Sequence, residues 1–449
     1  MAESQLLQEL GQDELEGARK LSGDESKLVQ TLEQGLSLEE LLALAALRNP
    51  SVKATGENVK AALEGLDQAA YLQELLVRYR AFTRELDTVA GMPMQRPDMK
   101  RFFPAPAALT LKSVIAQARI EMARLDFQAA LRQAVNSMAR AYFELQYIDN
   151  AIEVLLESRD LFRRMEQVAL AQLRVGKASQ ADALRSQALL DILDADLENL
   201  REQRLSALAR ANALLDLPVE TAWRRPASRD LADPEMDLDQ ARRLLQRHSQ
   251  RLHNQQQLVR MREAALRLAE LTLYPLPATG ASRLDLGRGA EAGPLRSTAA
   301  TFSNRPMLGQ RAASFATQSA YLEELRHRLE ADKETLQGLE ASLEADAGEA
   351  LRETSQARRS HRTYAELVVP KSLRAFNSMR GRYNTASAAF IEYLDAGRAY
   401  LEASLQSEKA RRDHNEALTR LLDVLGLGAT RLLKEGVAGP QPQPGQAHR

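Results

Sequence analysis

Two segments of this chain, LRVGKASQADAL at residues 173–184 and YNTASAAFIEYL at residues 383–394, align without a gap at a constant offset of 210. The register continues to the end of each unit, where LLDLP at 214–218 faces VLGLG at 424–428. Near the start of each unit, the Leu-Ser-Leu-Glu-Glu and Met-Asp-Leu-Asp-Gln segments match at an offset of 200. Self-similarity of this kind indicates repeated copies of one supersecondary unit. The sequence therefore predicts a tandem duplication.

Proline spacing indicates what each unit contains. Between Pro106 and Pro218 there is no proline and only one glycine, Gly176. Proline in a helix interior costs about 3 kcal/mol and glycine about 1 kcal/mol, so this stretch predicts a helix over residues 109–175 and a return helix over 179–217. The first helix would be roughly 100 Å long at about 1.5 Å per residue. The glycine supplies a C-cap and a serine three residues later an N-cap, which predicts a long helical hairpin.

The second half repeats this plan. It predicts a helix from Pro306 to about Asn384, interrupted at Pro370, and a further helix that ends near Leu425. Each half opens with a Ser or Asp followed by carboxylates, which favour a helix N-terminus. The predicted organisation is an N-terminal segment (1–36), a first repeat (37–218), an equatorial linker between the repeats (219–236), a second repeat (237–428) and a disordered tail (429–449), with tips at 173–179 and 383–387 and irregular excursions at 85–108 and 274–309.

Apolar residues of the first long helix form two stripes at helical spacing. Two stripes predict two neighbours, as in a helical bundle or in a closed cylinder of helices. A compact four-helix bundle is one interpretation of this period, whereas the length of the hairpins favours the cylinder. The first stripe contains Leu145, Ile148, Ile152, Leu155, Phe162 and Ala169, and the second contains Val154, Leu161, Met165 and Val168.

Composition argues against several functions. The chain has 449 residues, and its 60 Lys plus Arg against 61 Asp plus Glu give a net charge of −1, which predicts no general attraction to nucleic acid. It has no cysteine, no Gly-rich phosphate loop and no HExxH or GxSxG motif. We therefore predict that it is not an enzyme and has no cofactor or metal site. The histidines, and the arginines Arg358, Arg359 and Arg362, are expected on solvated helix faces.

The sequence contains no apolar run of about 18 residues that would predict a transmembrane helix. The N-terminus, MAESQLLQELGQDELEG, is acidic and lacks the basic-then-apolar order of a signal peptide. The protein therefore either stays inside the cell or has had a signal peptide removed.

Several stretches resemble the outer membrane efflux protein family, which includes the TolC-type channel-tunnels. The resemblance covers most of residues 36–428 and rests on the order, spacing and duplication of these stretches rather than on one specific motif. The matching stretches are LSLEELLALAALRNPSV (36–52), AYFELQYIDNAIEVL (141–155), LRVGKASQADALRSQALL (173–190), ELVVPKSLRAFNSMRGRYNTASAAFIEYLDA (366–396) and LLDVLGLG (421–428).

This resemblance implies a mainly α fold in which tandem-duplicated, long antiparallel helical hairpins form an α-barrel in a homotrimer. It implies a place in the outer membrane and periplasm of a Gram-negative bacterium. There the tips would meet a periplasmic adaptor (membrane fusion) protein that connects to an inner-membrane pump. The implied function is that of a channel-tunnel in a tripartite efflux or secretion system, which passively conducts what the pump exports.

The resemblance also implies roles for residues near the tips. Glu392 and Asp395 match positions that narrow the lumen, and three copies of each would give a ring of six carboxylates that favours cations. The alternative is that both carboxylates simply lie on a solvated helix face. Asp182 matches an acidic position at the constriction that latches neighbouring tips, although the basic partner falls on Ala388. The adaptor-contacting residues would be Leu173, Arg174, Val175, Gly176, Ala178, Ser179, Tyr383, Asn384, Ala386 and Ser387.

The sequence departs from the family at the membrane end. A strand that spans a bilayer needs about 9–11 residues with alternating apolar side chains. Residues 85–108 contain nothing like two such strands, and the candidate strands at 278–286 and 297–302 are short. We therefore expect little β-barrel, or one that is reduced. An alternative function follows, namely a barrel-less periplasmic helical scaffold or adaptor without channel activity.

Overall fold

The computed structural model describes residues 12–65, 106–174, 179–273, 313–385 and 387–434. Within these ranges the chain is mainly α-helical, as the sequence predicts, and contains no strand. The candidate strands at 278–286 and 297–302 lie outside the described residues. The excursions at 85–108 and 274–309 lie outside them, except for residues 106–108. The helices are α1 (Gln12–Ser22), α2 (Glu25–Gln34), α3 (Leu38–Arg48), α4 (residues 50–65), α5 (Pro106–Arg174), α6 (Gln180–Leu214), α7 (Leu238–His248), α8 (Gln250–Leu273), α9 (Ala313–Arg362), a π-helix (Thr363–Val368), α10 (Val369–Asn384), α11 (Phe390–Leu425) and α12 (Arg431–Lys434).

The predicted first hairpin is present, with 69 residues in α5 and 35 in α6. In the second half the predicted interruption at Pro370 takes the form of a π-helix rather than a break. Pro370 lies in the first turn of α10, where its missing N–H is tolerated best. The wider π-helical turns that precede it let the chain continue in a helical direction.

Capping confirms that the two halves begin alike. Ser37 and Glu40 form a capping box at α3, in which the Glu40 amide donates to Ser37 Oγ at 3.2 Å and the Ser37 amide donates to Glu40 Oε2 at 2.8 Å. Asp237 and Gln240 form the same arrangement at α7, at 2.6 Å and 3.1 Å. Each box satisfies two N–H groups that a helix start leaves unpaired.

The described chain divides into two compact units. The first contains residues 12–54, 128–249 and 342–434, and the second contains residues 55–65, 106–127, 250–273 and 313–341. Each unit therefore takes segments from both predicted repeats. Ion pairs within the second unit connect α8 to α9, with Arg262 Nε at 3.1 Å from Asp332 Oδ2 and Arg326 Nη2 at 3.2 Å from Glu270 Oε1.

Both hairpins contribute to one hydrophobic core in the first unit. The two stripes predicted for α5 face this common core, because α5 packs on residues of α6, α10 and α11 at once. Val154 and Leu161 of the second stripe lie at its edge, and only Val168, at 40% exposed, faces away. The core consists of Leu155, Phe162, Met165, Ala169, Leu189, Leu193, Leu197, Phe376, Tyr383, Phe390, Tyr393, Leu394 and Leu401.

The linker at residues 219–236 is bonded to the helices of the first unit. The buried Trp223 side chain donates its Nε1 hydrogen to Asn212 Oδ1 at 2.7 Å. The Tyr142 hydroxyl donates to the Ala227 carbonyl at 2.7 Å. The linker is thus an ordered connection with side-chain anchors.

The tail predicted to be disordered from residue 429 is ordered for its first six residues. Ala429, Thr430 and Leu432 are buried, and the Ala232 amide donates to the Leu432 carbonyl at 3.2 Å. Residues 429–434 are therefore ordered by packing against the linker, a contact that the composition of the tail did not indicate. Residues 435–449 lie outside the described part of the chain.

In the portion of the chain that the structure describes, no helix is both long enough and apolar enough to cross a membrane.

Candidate functional site at the hairpin tips

The first tip lies between the end of α5 and the start of α6. Leu173 is half-buried and Arg174 is exposed. Ser179 caps α6, since its Oγ accepts from the Asp182 amide at 3.2 Å and its own amide donates to Asp182 Oδ2 at 3.2 Å. The predicted tip residues Val175, Gly176 and Ala178 lie outside the described residues.

Asp182 has partners inside its own tip. Its Oδ2 accepts a hydrogen bond from Ser179 Oγ at 2.8 Å, and its Oδ1 lies 3.5 Å from Arg185 Nη1. These contacts explain an acidic residue at this position as a helix cap, since a carboxylate in the first turn also interacts favourably with the helix dipole. The latch between tips that the resemblance implies for Asp182 stays a prediction.

The second tip is a short turn between α10 and α11. The Ser387 amide donates to the Arg382 carbonyl at 2.8 Å, and Arg382 Nη2 donates back to the Ser387 carbonyl at 3.2 Å. Asn384 and Ser387 are exposed at this turn, so their side chains are accessible to a partner. Ala386 lies outside the described residues.

A ladder of aromatic rings supports the second tip from inside. Tyr383 is buried and stacks on Tyr393, with ring centroids 5.4 Å apart. Phe390 packs edge-on against Tyr383 at 5.6 Å, and Phe376 stacks on Tyr393 at 5.4 Å. The Tyr383 ring therefore supports the tip from inside, and the adaptor contact that the resemblance implies for Tyr383 stays a prediction.

The two tips lie close together in the first unit. Burial raises the pKa of the Tyr383 hydroxyl, and the negative charge of Asp182 raises it further. The hydroxyl is buried and has no hydrogen-bond partner among the described residues. An ionised Asp182 on the first tip therefore acts directly on a ring that belongs to the second tip.

Glu392 and Asp395 lie near the second tip, in the first two turns of α11. Both are exposed, and their spacing of three residues places them on one face of the helix. Neither forms an ion pair or a side-chain hydrogen bond with another described residue. This is an open carboxylate pair on the helix surface, which fits both the predicted lumen position and a solvated face.

The histidine prediction needs one correction. His414 is buried, at 8% exposed, and its ring stacks on His361 with centroids 5.9 Å apart. Arg358, also expected on a solvated face, forms an ion pair with Asp233 of the linker. The linker covers His414 and Arg358 at this place. The sequence of α9 and α11 alone does not indicate that these side chains are covered. In the described ranges, no group of three or more His, Asp or Glu side chains is arranged to bind a metal ion.

With this geometry established, the fold can be compared with known structures, and it is that of several solved outer-membrane channel proteins. The outer-membrane channel OprN matches with a TM-score of 0.64 over 88% of this chain and 90% of that chain, at 16% identity. The outer membrane protein VceC from Vibrio cholerae matches with a TM-score of 0.62 over 87% and 96%, at 12% identity. The MtrE outer membrane channel of Neisseria gonorrhoeae, in its open state, matches with a TM-score of 0.62 over 88% and 90%, at 16% identity.

In sequence, the chain is similar to protein CyaE of Bordetella pertussis, at 25% identity over 215 residues. The match spans 44% of this chain and 45% of CyaE, which is less than half the length of that relative. No protein-family model matches the sequence. The structural matches agree with the prediction of a mainly α fold.

Two features of the site were not found from the sequence. The aromatic ladder has a signal, because Phe390, Tyr393, Gly397 and Tyr400 follow helical spacing on one face of α11. The hydrogen-bonded linker has no such signal in the sequence, because most of its partners, such as Tyr142 and Asn415, lie far away along the chain.

Proposed function

We propose that this protein is the channel-tunnel component of a tripartite efflux or secretion system. In this role it passively conducts what a partner pump exports. The observation that carries the proposal is the pair of hairpin tips, which share one core on a fold that matches an outer-membrane channel over 88% of this chain. The proposed location is the outer membrane and periplasm of a Gram-negative bacterium, where proteins of this fold include VceC and MtrE.

A homotrimer is part of this proposal, and exposed apolar side chains support it. Leu184 and Ile192 of α6 are 56% and 50% exposed, and Leu156 and Val168 of α5 are each 40% exposed. Large exposed apolar side chains on both helices of the first hairpin are consistent with a surface that another chain covers. Neighbouring copies in a closed cylinder of helices would cover these side chains, as the exposed stripe of a coiled-coil helix is covered by its partner.

The two carboxylates near the second tip give the proposed lumen its charge. Glu392 and Asp395 are exposed and are free of ion pairs with other described residues. Three copies of each would make a ring of six negative charges, which attracts cations and slows anions.

The proposed adaptor surface consists of exposed residues at the tips. Arg174 on the first tip, with Asn384 and Ser387 on the second, present polar side chains at the two turns. A periplasmic adaptor that docks end-on would contact both turns at once, because the tips lie close together. The adaptor in turn would connect the channel to an inner-membrane pump.

Sizing and conductance measurements test the channel proposal. We expect the purified protein to elute as a trimer of 49.9 kDa chains, to show a central opening in electron images, and to give single-channel steps in planar bilayers. A monomer that stays soluble without detergent and gives no conductance would overturn the proposal in favour of a periplasmic helical scaffold.

Bulky substitutions test the adaptor surface. We expect Asn384→Trp combined with Ser387→Trp to abolish export in cells while helicity and trimer size stay unchanged. The matched control is Gln203→Trp, an exposed position of α6 far from the turns, which should leave export intact. Normal export by the double variant would reject the second tip as a contact surface.

A further inference from the structure

The end of the linker, residues 228–234, is docked on α11 by polar contacts. Arg411 Nε donates to Asp230 Oδ1 at 2.8 Å, and Arg411 Nη2 donates to Ser228 Oγ at 2.7 Å. The Leu231 amide donates to Asn415 Oδ1 at 2.9 Å. Leu231 is buried as well, so apolar burial and charge pairing together hold this segment in place.

A buried imidazole lies under the segment. His414 of α11 is 8% exposed, and its Nε2 lies 3.3 Å from Asp233 Oδ2 without forming a hydrogen bond. Arg358 of α9 is bonded to the other carboxylate oxygen of Asp233 and also donates to the Pro234 carbonyl at 3.2 Å. The Asp233 carboxylate is therefore already compensated by a permanent cation.

A second imidazole faces the first. The His361 ring of α9 lies parallel to the His414 ring, with an interplanar angle of 15°. His361 Nδ1 is buried and has no hydrogen-bond partner among the described residues. The charged and titratable groups that act on His414 are Asp230 and Asp233 from the linker and Arg358 and His361 from α9. Together with His414, and with Arg411, which is bonded to Asp230, we call them the linker cluster.

The charge balance of the linker cluster favours a neutral His414. Burial lowers the pKa of His414 most, Asp233 raises it in part, and His361 and Arg358 lower it again. The Asp230 carboxyl stays ionised, since the hydrogen bonds from Arg411 and Asn415 outweigh the effect of burial and lower its pKa. A proton added to His414 would place a further cation beside Arg358, in a site where burial already disfavours the charged imidazole.

We propose that the linker cluster is a proton-sensitive latch, which holds residues 228–234 on α11 while His414 is neutral and releases them in acid. A histidine in water takes up its proton near pH 6.5, whereas the docked His414 takes it up only at lower pH. Between these two pH values the released form binds more protons than the docked form. Docking therefore weakens as pH falls through this window and is complete above it. The latch concerns the segment that joins the two repeats, and it does not depend on channel activity.

Hydrogen exchange of the full chain tests the latch directly. The Leu231 amide donates to Asn415 Oδ1 of α11 and the Ala232 amide to the Leu432 carbonyl of α12. The Leu231 amide therefore exchanges only when the segment leaves α11, and the Ala232 amide only when the segment also separates from α12. We expect their protection factors, corrected for intrinsic exchange, to fall by about threefold or more from pH 7.5 to pH 5.5. Amides within α5 should keep their protection factors. This difference distinguishes release of the segment from global unfolding.

Two variants identify the titrating group. His414→Gln is neutral at both pH values and should remove the pH dependence, whereas the control His327→Gln, an exposed position on α9 in the second unit, should keep it. His361→Gln removes the neighbouring charge and should move the midpoint of the loss to higher pH. Constant protection in the unmodified protein, or an unshifted midpoint in His361→Gln, overturns the proposal even if His414→Gln does not fold.

Discussion

Asp216 and Gly426 occupy equivalent left-handed positions, 210 residues apart, just after the ends of α6 and α11. Their φ angles are 56° and 78°, and the residue after each one donates its amide to the carbonyl five positions earlier, at 3.0 Å and 2.8 Å. This is the hydrogen bond of a Schellman C-cap. The sequence offset that aligns the two repeats therefore extends to the backbone geometry of the helix ends.

Substitution of Gly426 should destabilise the first unit. A Cβ at this position would lie 2.3 Å from the His248 carbonyl oxygen, so the backbone must move, and a left-handed φ adds strain. We expect Gly426→Ala to lower the free energy of unfolding by about 2–4 kcal/mol, measured by urea denaturation.

The equivalent position provides the control. Asp216→Gly relieves a strain of about 1 kcal/mol and loses an exposed ion pair with Lys53, at 3.0 Å, worth about 0–1 kcal/mol. Its stability should therefore stay within about 1 kcal/mol of the unmodified protein. Equal losses in the two variants would contradict this account of the two caps.

Gly397 lets α11 approach α5 closely in the core beneath the tips. A Cβ there would lie 3.0 Å from Phe162 Cε1 and 3.5 Å from Phe376 Cε2, and both rings are buried. We expect Gly397→Leu to lower the free energy of unfolding by about 1–3 kcal/mol. Gly381→Ala is the control, because its Cβ would meet no described atom outside its own helix within 4 Å, and it should gain about 1 kcal/mol. Thermal unfolding that ranks the two variants the other way would reject the packing of α11 on α5.

Neutral substitutions at the exposed carboxylates should change ion selectivity. If Glu392 and Asp395 line the lumen, Glu392→Gln with Asp395→Asn removes six charges from the proposed trimer and reduces cation over anion selectivity. The exchange Glu392→Asp with Asp395→Glu keeps the charge and should keep the selectivity. The selectivity of both double variants is measured by their reversal potentials in bilayers under a salt gradient. Identical reversal potentials for the neutral variant and the unmodified channel would place these residues outside the lumen.

Tyr142 should make the linker contact sensitive to alkali. Burial, with a contribution from the Glu39 charge, raises the pKa of Tyr142 to about 12, while an unfolded tyrosine titrates near 10. Below pH 10 the hydroxyl is protonated in both states, and its contribution to stability is fully present. Between pH 10 and pH 12 the unfolded chain loses its proton first, so about 2–3 kcal/mol of stability is lost as pH rises.

The matched variant for this prediction is Tyr142→Phe. It loses the hydrogen bond to the Ala227 carbonyl at every pH, but it has no hydroxyl to titrate. Its unfolding free energy should therefore fall less steeply than that of the unmodified protein from pH 9 to pH 12, as measured by urea denaturation. Parallel curves for the two proteins would assign the alkaline loss to other tyrosines.

Helix positions followed well from the sequence, because they depend on local chemistry. The proline-free stretch predicted α5 and α6 to within a few residues at each end. The Ser or Asp before each first turn predicted the N-caps of α3 and α7, although not the full capping boxes. The apolar stripes of α5 were also present, yet the sequence assigned the second stripe to a separate neighbour. The spacing of apolar residues along a helix identifies which face is apolar. Only the packing of the folded chain decides how many other helices cover that face.

The tip residues show the same limit. Ser179 was predicted as a cap, and its bond with the Asp182 amide depends on residues three positions apart. Tyr383 was predicted as a contact residue from the family resemblance, which did not indicate that its ring lies inside, stacked on Tyr393. Whether an aromatic side chain at a turn faces inward depends on the neighbouring helix, which an aligned motif does not describe.

The sequence by itself determined the duplication, the long helices and their caps, because proline, glycine and capping residues act within a few positions of the chain. The tertiary structure decided the rest. It placed His414 beneath Asp233 and the linker on α11, and it drew each compact unit from both repeats. These contacts join residues far apart in sequence, and their free energy comes from burial and charge pairing that exist only after the helices have packed.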